Sequence, residues 1–368
     1  MRLLHVHSGN LYGGVETMML TLARESAGAS AMTHEFALAF DAQIADELRA
    51  SAVPVHRLGE VRARNPISVI RARWRLAKLL RGERYRAVIC HMPWAHAIFG
   101  GVVRRARAPL VFWMHGASRG RHWTEWWARL TPPGLAICNS RFTASMLPNI
   151  FPRTSAHVLY CPLAVPVSHP TTAQNLALRD ELGTARDAVV VVQVGRMESL
   201  KGHASLLHAL ARLRDRNWVC WQVGGAQRPQ EQTYVDGLRS LAAELDLGDR
   251  VKFLGRRSDV ARILEAADIY CQPNSEPDAF GLSFIEALGA QLPIVTTALG
   301  GALEIVDESC GILVAPNDAV ALAAALARLI DDADMRHRLG GSGPSRAKTL
   351  CDPVARIQQL AVAIEGLQ

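Results

Sequence analysis

The stretch AVVVVQVGRMESLKG, residues 188–202, decides how the fold is read. A run of valines enters Gly195, and two cations, Arg196 and Lys201, follow before Gly202. A strand with one wet face alternates polar and apolar residues. An unbroken apolar run is covered on both faces, as in a parallel sheet between layers of helix. Working outward, the same unit recurs. Towards the amino end stand LLHVHS, EFALAF, VPVHRL, AVICHM, LVFWMH, LAICNS and HVLYCPL, and towards the carboxyl end WVCWQVGG, VKFLG, DIYCQPN, PIVTTA and GILVAP. Amphipathic helical stretches separate them. Two series of six or seven strands each imply an α/β chain of two doubly wound, Rossmann-like units.

The break between the series falls at CPLAVPVSHPTTAQN, residues 161–175, where Pro, Ser, Thr and Asn cluster. The expected domains are therefore 1–165 and 166–344. A closing helical segment, 345–368, has no strand after it and is expected to return to the first domain.

Composition narrows the function. The 368 residues exceed one ordinary core and suit two. The seven cysteines are scattered without CxxC spacing, which points to neither a disulfide framework nor a zinc site, and a reducing cytoplasm fits. The opening segment does not read as a leader, and no apolar run approaches the ~18 residues of a spanning helix. The expectation is a cytoplasmic protein, at most peripheral at the inner membrane face. The net charge of +7 is uneven: residues 1–165 carry 21 Lys and Arg against 9 Asp and Glu. That field suits anionic partners, and it equally serves solubility.

Four glycine turns stand where such sheets bind ligands. In SGNLYGGVE (8–16), Gly13 and Gly14 open a helix whose start would offer N–H groups to an anion; sterics alone explain such glycines equally well. The turn is neither GxGxxG nor a Walker loop, which argues against standard NAD or ATP sites. After 188–194, Arg196 and Lys201 suit phosphate oxygens, the first as a fork and the second as a point charge. In NSEPDAFGLSFIEALGAQLP (274–293), acids lead into Phe280 and Gly281, and then into a helix bearing Glu286 among Phe284, Ile285, Ala287 and Leu288. A carboxylate there needs a cation or hydroxyl groups to bind. In ALGGALEIV (298–306), Gly300 and Gly301 precede another helix start, a further set of donors for a diphosphate.

Taken in order, GGVE, HG, NS, GR…KG, the acid–x7–acid block, GG..E and GILVAPND resemble glycosyltransferase family 4, retaining enzymes of the GT-B fold. The likeness covers essentially the whole chain. It implies two Rossmann-like domains facing across a cleft, the first on the acceptor side and the second holding a nucleotide sugar. It implies that Arg196 and Lys201 clamp the donor diphosphate and that Glu286 binds the ribose. Asp278 and the backbone of Phe280, Gly281 and Leu282 would meet the donor sugar. Gly14, beside Gly13, would line the cleft, Gly301 would contact the donor, and His115 in WMHG matches a histidine near the transferred sugar. His115, Asp278 and Glu286 are thus the expected catalytic set. One departure stands out: the family usually has Glu at the register of Asp278, and Glu276 lies two residues earlier, out of step, a second candidate for the donor-sugar contacts.

The implied reaction is hexose transfer from an NDP-sugar, UDP-sugar foremost, to a glycan, lipid-linked or small-molecule acceptor. No acidic pair of DxD type follows a strand, so neither a metal nor a cofactor is expected; the NDP-sugar is a substrate. Two Arg- and Trp-bearing stretches, 61–86 and 118–130, suit an anionic membrane or a lipid or glycan acceptor; core packing is the ordinary alternative for their tryptophans. No nucleic-acid module accompanies the charge. Two other readings remain open from sequence: a sugar-nucleotide epimerase of the same fold, and a non-catalytic sugar-nucleotide-binding protein.

Overall fold

A computed structural model describes residues 1–26, 32–165 and 171–367, so the middle of the proposed linker, 166–170, lies outside the described residues. The chain forms two compact units: Met1–Ala164 with Cys351–Gln368, and Val165–Leu350.

The first unit holds β1 (Arg2–His7), β2 (Thr33–Leu38), β3 (Val55–Arg57), β4 (Ala87–His91), β5 (Leu110–Met114), β6 (Leu135–Cys138) and β7 (Ala156–Val158). They form one parallel sheet in the order β3-β2-β1-β4-β5-β6-β7. Residues 87–91 and 110–114 are buried throughout, as their continuous apolar runs require. The helix Pro353–Glu365 belongs to this unit. Asp352 caps it by accepting from Ala355 N at 2.9 Å, and Ile357, Leu360 and Ile364 make its buried stripe. Arg86 holds the chain end, donating to the carbonyls of Glu365 and Leu367 at 2.9 and 2.8 Å.

The second unit holds β8 (Val189–Val194), β9 (Trp218–Val223), β10 (Val251–Gly255), β11 (Ile269–Gln272), β12 (Ile294–Thr297) and β13 (Gly311–Val314). Their order is β10-β9-β8-β11-β12-β13, again parallel. The direction of winding reverses between β8 and β11. In open α/β sheets that switch point opens a crevice at the carboxyl ends of the strands. Its core joins Val191, Leu207, Trp218, Leu326 and Leu329, each contributing about 1.5–3 kcal/mol on burial. The helix Ala333–Cys351 passes through Ser345, so the chain re-enters the first unit at Cys351, further on than the expected boundary.

All seven cysteines are free and buried. No helix among the described residues is long and apolar enough to cross a membrane.

Candidate functional site

The sequence-predicted residues divide between the units. Gly13, Gly14 and His115 lie in the first; Arg196, Lys201, Glu276, Asp278, Phe280, Gly281, Leu282, Glu286 and Gly301 lie in the second, at the carboxyl ends of β8, β11 and β12.

In the second unit, the loop after β8 ends in a single tight turn, Ser199–Lys201, closed by Gly202 in the left-handed region (φ 72°). A side chain at Gly202 would collide with the carbonyl of Pro273, so glycine lets the β8 and β11 loops touch. Ser275 N donates to Leu200 O at 2.9 Å across the same seam. This places Lys201 Nζ 2.6 Å from Asp278 Oδ2, with both side chains largely buried. Gln193 Nε2 fixes the Lys201 carbonyl at 2.7 Å. Arg196 pairs with Glu198 on the same loop. Asp278 therefore faces the cationic loop, and Glu276 is exposed.

Glu286 occupies the helix Leu282–Gly289, whose N-cap is Gly281 at φ 102°. Part of the residue reaches solvent, but burial of the carboxyl pushes its pKa up from 4.5 to about 7. No cation or donor stands against it among the described residues. The cause is desolvation alone, which disfavours the charged form. The N–H groups of Leu282 and Ser283 likewise have no partner among the described residues, as at any uncapped helix start. Nearby, Asn274 Nδ2 and Gln193 Oε1 are buried and unpartnered. Phe280 is buried, which takes its ring out of reach of a ligand.

Two expectations are narrowed. At Gly300–Gly301 the second amide is already taken: Gly301 N donates to Asp278 O at 2.9 Å, and the helix after it is one turn, Ala302–Ile305. The glycines serve close packing, since a Cβ at Gly300 (φ 57°) would strike the Asp278 carbonyl. The helix start at Gly13–Gly14 already carries a carboxylate of this chain. Glu16 Oε2 accepts from Gly13 N at 2.9 Å, a capping arrangement, and its other oxygen meets His7 Nε2 at 2.7 Å. A buried carboxylate already occupies the end where an anion was expected.

His115 follows β5 and is buried, and its pKa is lowered to about 3 by that burial, so it is neutral. It does not stand alone, contrary to the ordinary expectation for a single buried histidine. Its Nε2 lies 2.8 Å from His91 Nδ1, and His5 and His34 continue the line. Sequence reasoning missed these three. The available signal was a histidine inside each of several otherwise apolar strands.

Among the described residues no group of three or more His, Cys, Asp or Glu could hold a metal ion. What the second unit presents is a lysine–aspartate pair, an unpaired carboxyl and free amide groups at one switch point, the class of site that binds a phosphorylated ligand with hydroxyl groups.

Comparison with known proteins agrees with that class. Residues 12–165 match the family model described as Glycosyltransferase Family 4, and residues 175–346 match Glycosyl transferases group 1. The chain belongs to glycosyltransferase family 4 and has the GT-B fold. A D-inositol 3-phosphate glycosyltransferase of Corynebacterium efficiens is 34% identical over 182 residues, 46% of this chain and 41% of that one. The lipopolysaccharide core biosynthesis glycosyltransferase LpsD of Rhizobium meliloti is 36% identical over 173 residues, 46% of this chain and 48% of that one. The chain spans about half the length of the curated relatives it matches. Among solved structures, Anabaena HepE in complex with UDP and glucose superposes with a TM-score of 0.88 over 100% of both chains at 23% identity, a likeness of fold.

Proposed function

We propose that this protein is a retaining, metal-independent glycosyltransferase that moves a hexose from a UDP-sugar to a glycan, lipid-linked or small-molecule acceptor. The observation that carries the reading is the carboxyl edge of β8 and β11, where Lys201 pairs with Asp278 and the helix bearing the unpaired Glu286 begins at Leu282. Arg196 and Lys201 meet the diphosphate, and the Leu282 and Ser283 amides extend that cradle. Glu286 accepts from the ribose hydroxyls, which supply the partners its carboxyl lacks. Asp278 and the backbone at Phe280–Gly281 face the hexose, and the family resemblance assigns His115 a part in the chemistry. The reported relatives are glycosyltransferases, and HepE was crystallised with UDP and with UDP-glucose, which favours this reading over an epimerase or a passive binder.

In the reaction, the bond from the anomeric carbon to the diphosphate oxygen breaks. The acceptor oxygen bonds to that carbon on the same face, and its proton passes to the departing phosphate. Charge grows on the phosphate, where preorganised cations and amides act most strongly. Each charge-assisted hydrogen bond contributes about 1.5–3 kcal/mol, so two or three supply a useful part of a barrier reduction of ~8 kcal/mol or more.

Two exposed stripes in the first unit support a peripheral membrane acceptor. Ile67, Ile70 and Trp74 share one face of the helix Pro66–Gly82, at 65%, 66% and 58% exposure, beside Arg71 and Lys78. Trp126 and Trp127 are 61% and 56% exposed on the helix Trp123–Arg129. Arg129 is tied to the carbonyls of Gly120 and Asn149, so the tryptophans carry that second stripe.

A panel of UDP-, GDP- and ADP-hexoses, with and without EDTA, tests the reading by binding and by slow hydrolysis. Preferential binding of UDP-hexose and EDTA-insensitive turnover are expected. Equal indifference to all three nucleotides, or loss of turnover in EDTA, sinks it.

A further inference from the structure

Four buried histidines cross the first unit's sheet in a straight order. His34 lies on β2, His5 on β1, His91 on β4 and His115 just beyond β5, and β2-β1-β4-β5 are consecutive neighbours in space. The register fixes the line. His34 is paired with Leu3, His5 with Ile89 and His91 with Trp113. Each following histidine therefore stands two residues further towards the carboxyl edge. A step of two keeps the side chain on the same face of the sheet, so all four rings share one side and climb diagonally.

Every link has the same sense. His34 Nδ1 meets His5 Nε2, His5 Nδ1 meets His91 Nε2, and His91 Nδ1 meets His115 Nε2, each at 2.8 Å. Ring centroids lie 5.0, 5.1 and 5.1 Å apart, with planes 34°, 23° and 16° from parallel. These are rings joined edge to edge, each N–H aimed along its neighbour's lone pair. Phe36 stacks on His5, and Trp113 lies against both His91 and His115, which holds the rings in place. His7, paired with Glu16, stands edge-on to His91 outside the line.

A neutral imidazole has one donor and one acceptor nitrogen. Burial keeps these rings neutral: the His34 pKa falls to about 4 and that of His115 to about 3, and His5 and His91 are lowered strongly. With every link running Nδ1 to Nε2, only two arrangements leave no link broken. Either all four carry hydrogen on Nδ1, or all four carry it on Nε2. Any mixture sets two N–H groups, or two lone pairs, against each other. The two ends of the line, His34 Nε2 and His115 Nδ1, are buried atoms without a partner.

We propose that His34, His5, His91 and His115 form a single directional relay, in which the first three are positioning residues that set whether His115 Nδ1 offers a proton or a lone pair. The tautomer of His115 is then a property of four strands rather than of one side chain. Its bearing on catalysis rests on the reading of His115 as a residue beside the transferred hexose; the relay itself does not.

The test is two-bond 1H–15N spectroscopy of the full chain labelled with 15N-histidine, at pH 7.5, without donor. In the wild type, His5, His34, His91 and His115 are expected to share one tautomer. His34→Glu, whose carboxylate can only accept, is expected to fix hydrogen on Nε2 along the other three, and His34→Lys, which can only donate, to fix it on Nδ1; the His115 tautomer ratio should differ between the two by at least roughly tenfold, the equivalent of one hydrogen bond. Adding His5→Phe, which cuts the line, should abolish that difference. A wild type in which any of the four differs from the rest overturns the relay, as does the same His115 ratio in His34→Glu and His34→Lys. If either variant at this end of the line fails to fold, the other, compared with the wild type, decides. Hexose transfer by the folded variants separates the two claims. A moved tautomer with kcat lowered and KM for UDP-hexose unchanged supports both, whereas a moved tautomer with unchanged kcat keeps the relay and removes His115 from the chemistry.

Discussion

Glu286→Gln is the most informative single change, because its carboxyl sits in an apolar helix with desolvation and no charged partner acting on it. Folding raises its pKa from 4.5 to about 7, so the folded state favours the protonated form. The sign follows from linkage. Below pH 4.5 the acid is protonated in both states and there is no penalty. Between 4.5 and about 7 the unfolded chain ionises first and stability is lost; above 7 the loss is constant. At about 1.4 kcal/mol per pH unit the full penalty is roughly 3 kcal/mol. Gln keeps the shape and removes the charge, but its amide remains short of partners, so a gain of about 2 kcal/mol is expected at pH 8 and almost none at pH 5. Guanidinium unfolding of the full chain, followed by tryptophan emission at both pH values, measures it. UDP affinity should fall in the same variant, since an amide is a weaker acceptor for ribose hydroxyls. A stability change equal at the two pH values, or a loss at pH 8, would refute the argument.

The remaining expectations concern neighbouring features. A double-mutant cycle on Lys201→Ala and Asp278→Ala should give a coupling of about 1–3 kcal/mol, since the pair is largely shielded from water; additive effects would dissolve the pair. Lys201→Ala alone should weaken UDP binding at least tenfold by calorimetry. Gly300→Ala should destabilise by about 1–3 kcal/mol, because its φ of 57° and the Asp278 carbonyl both oppose a side chain; a neutral melting result would contradict the packing role given to this turn. Combining Trp74→Ser with Trp127→Ser should cut co-sedimentation with phosphatidylglycerol vesicles about tenfold and leave the melting midpoint unchanged, and undiminished binding would remove these stripes from the membrane reading.

The fold was legible because its strands are covered on both faces. Val190, Val191 and Val192 are wholly buried, and a continuous apolar run is the imprint of that burial. The environment of Glu286 was legible for a related reason: Phe284, Ile285, Ala287 and Leu288 flank it in the chain, and a helix keeps near neighbours near. The histidine line was not. His5, His34, His91 and His115 are scattered through the first third of the chain, and only the strand register brings their rings edge to edge. Glycine is ambiguous in sequence because it permits two opposite things, close packing and an open approach. At Gly301 it admits the neighbouring backbone of Ala279 and Phe280. At Gly13 the helix start is capped by Glu16, three residues on, the spacing of a capping box.

The helix Pro353–Glu365 completes a core built from residues 1–164, and this has a consequence for synthesis on the ribosome. The strands that emerge first must wait for the entire second unit to be translated before Ile357, Leu360 and Ile364 arrive. At typical elongation rates the delay is roughly 10–40 s. Throughout that interval the nascent first unit shows water an apolar groove it will later cover, a natural place for a chaperone to hold it.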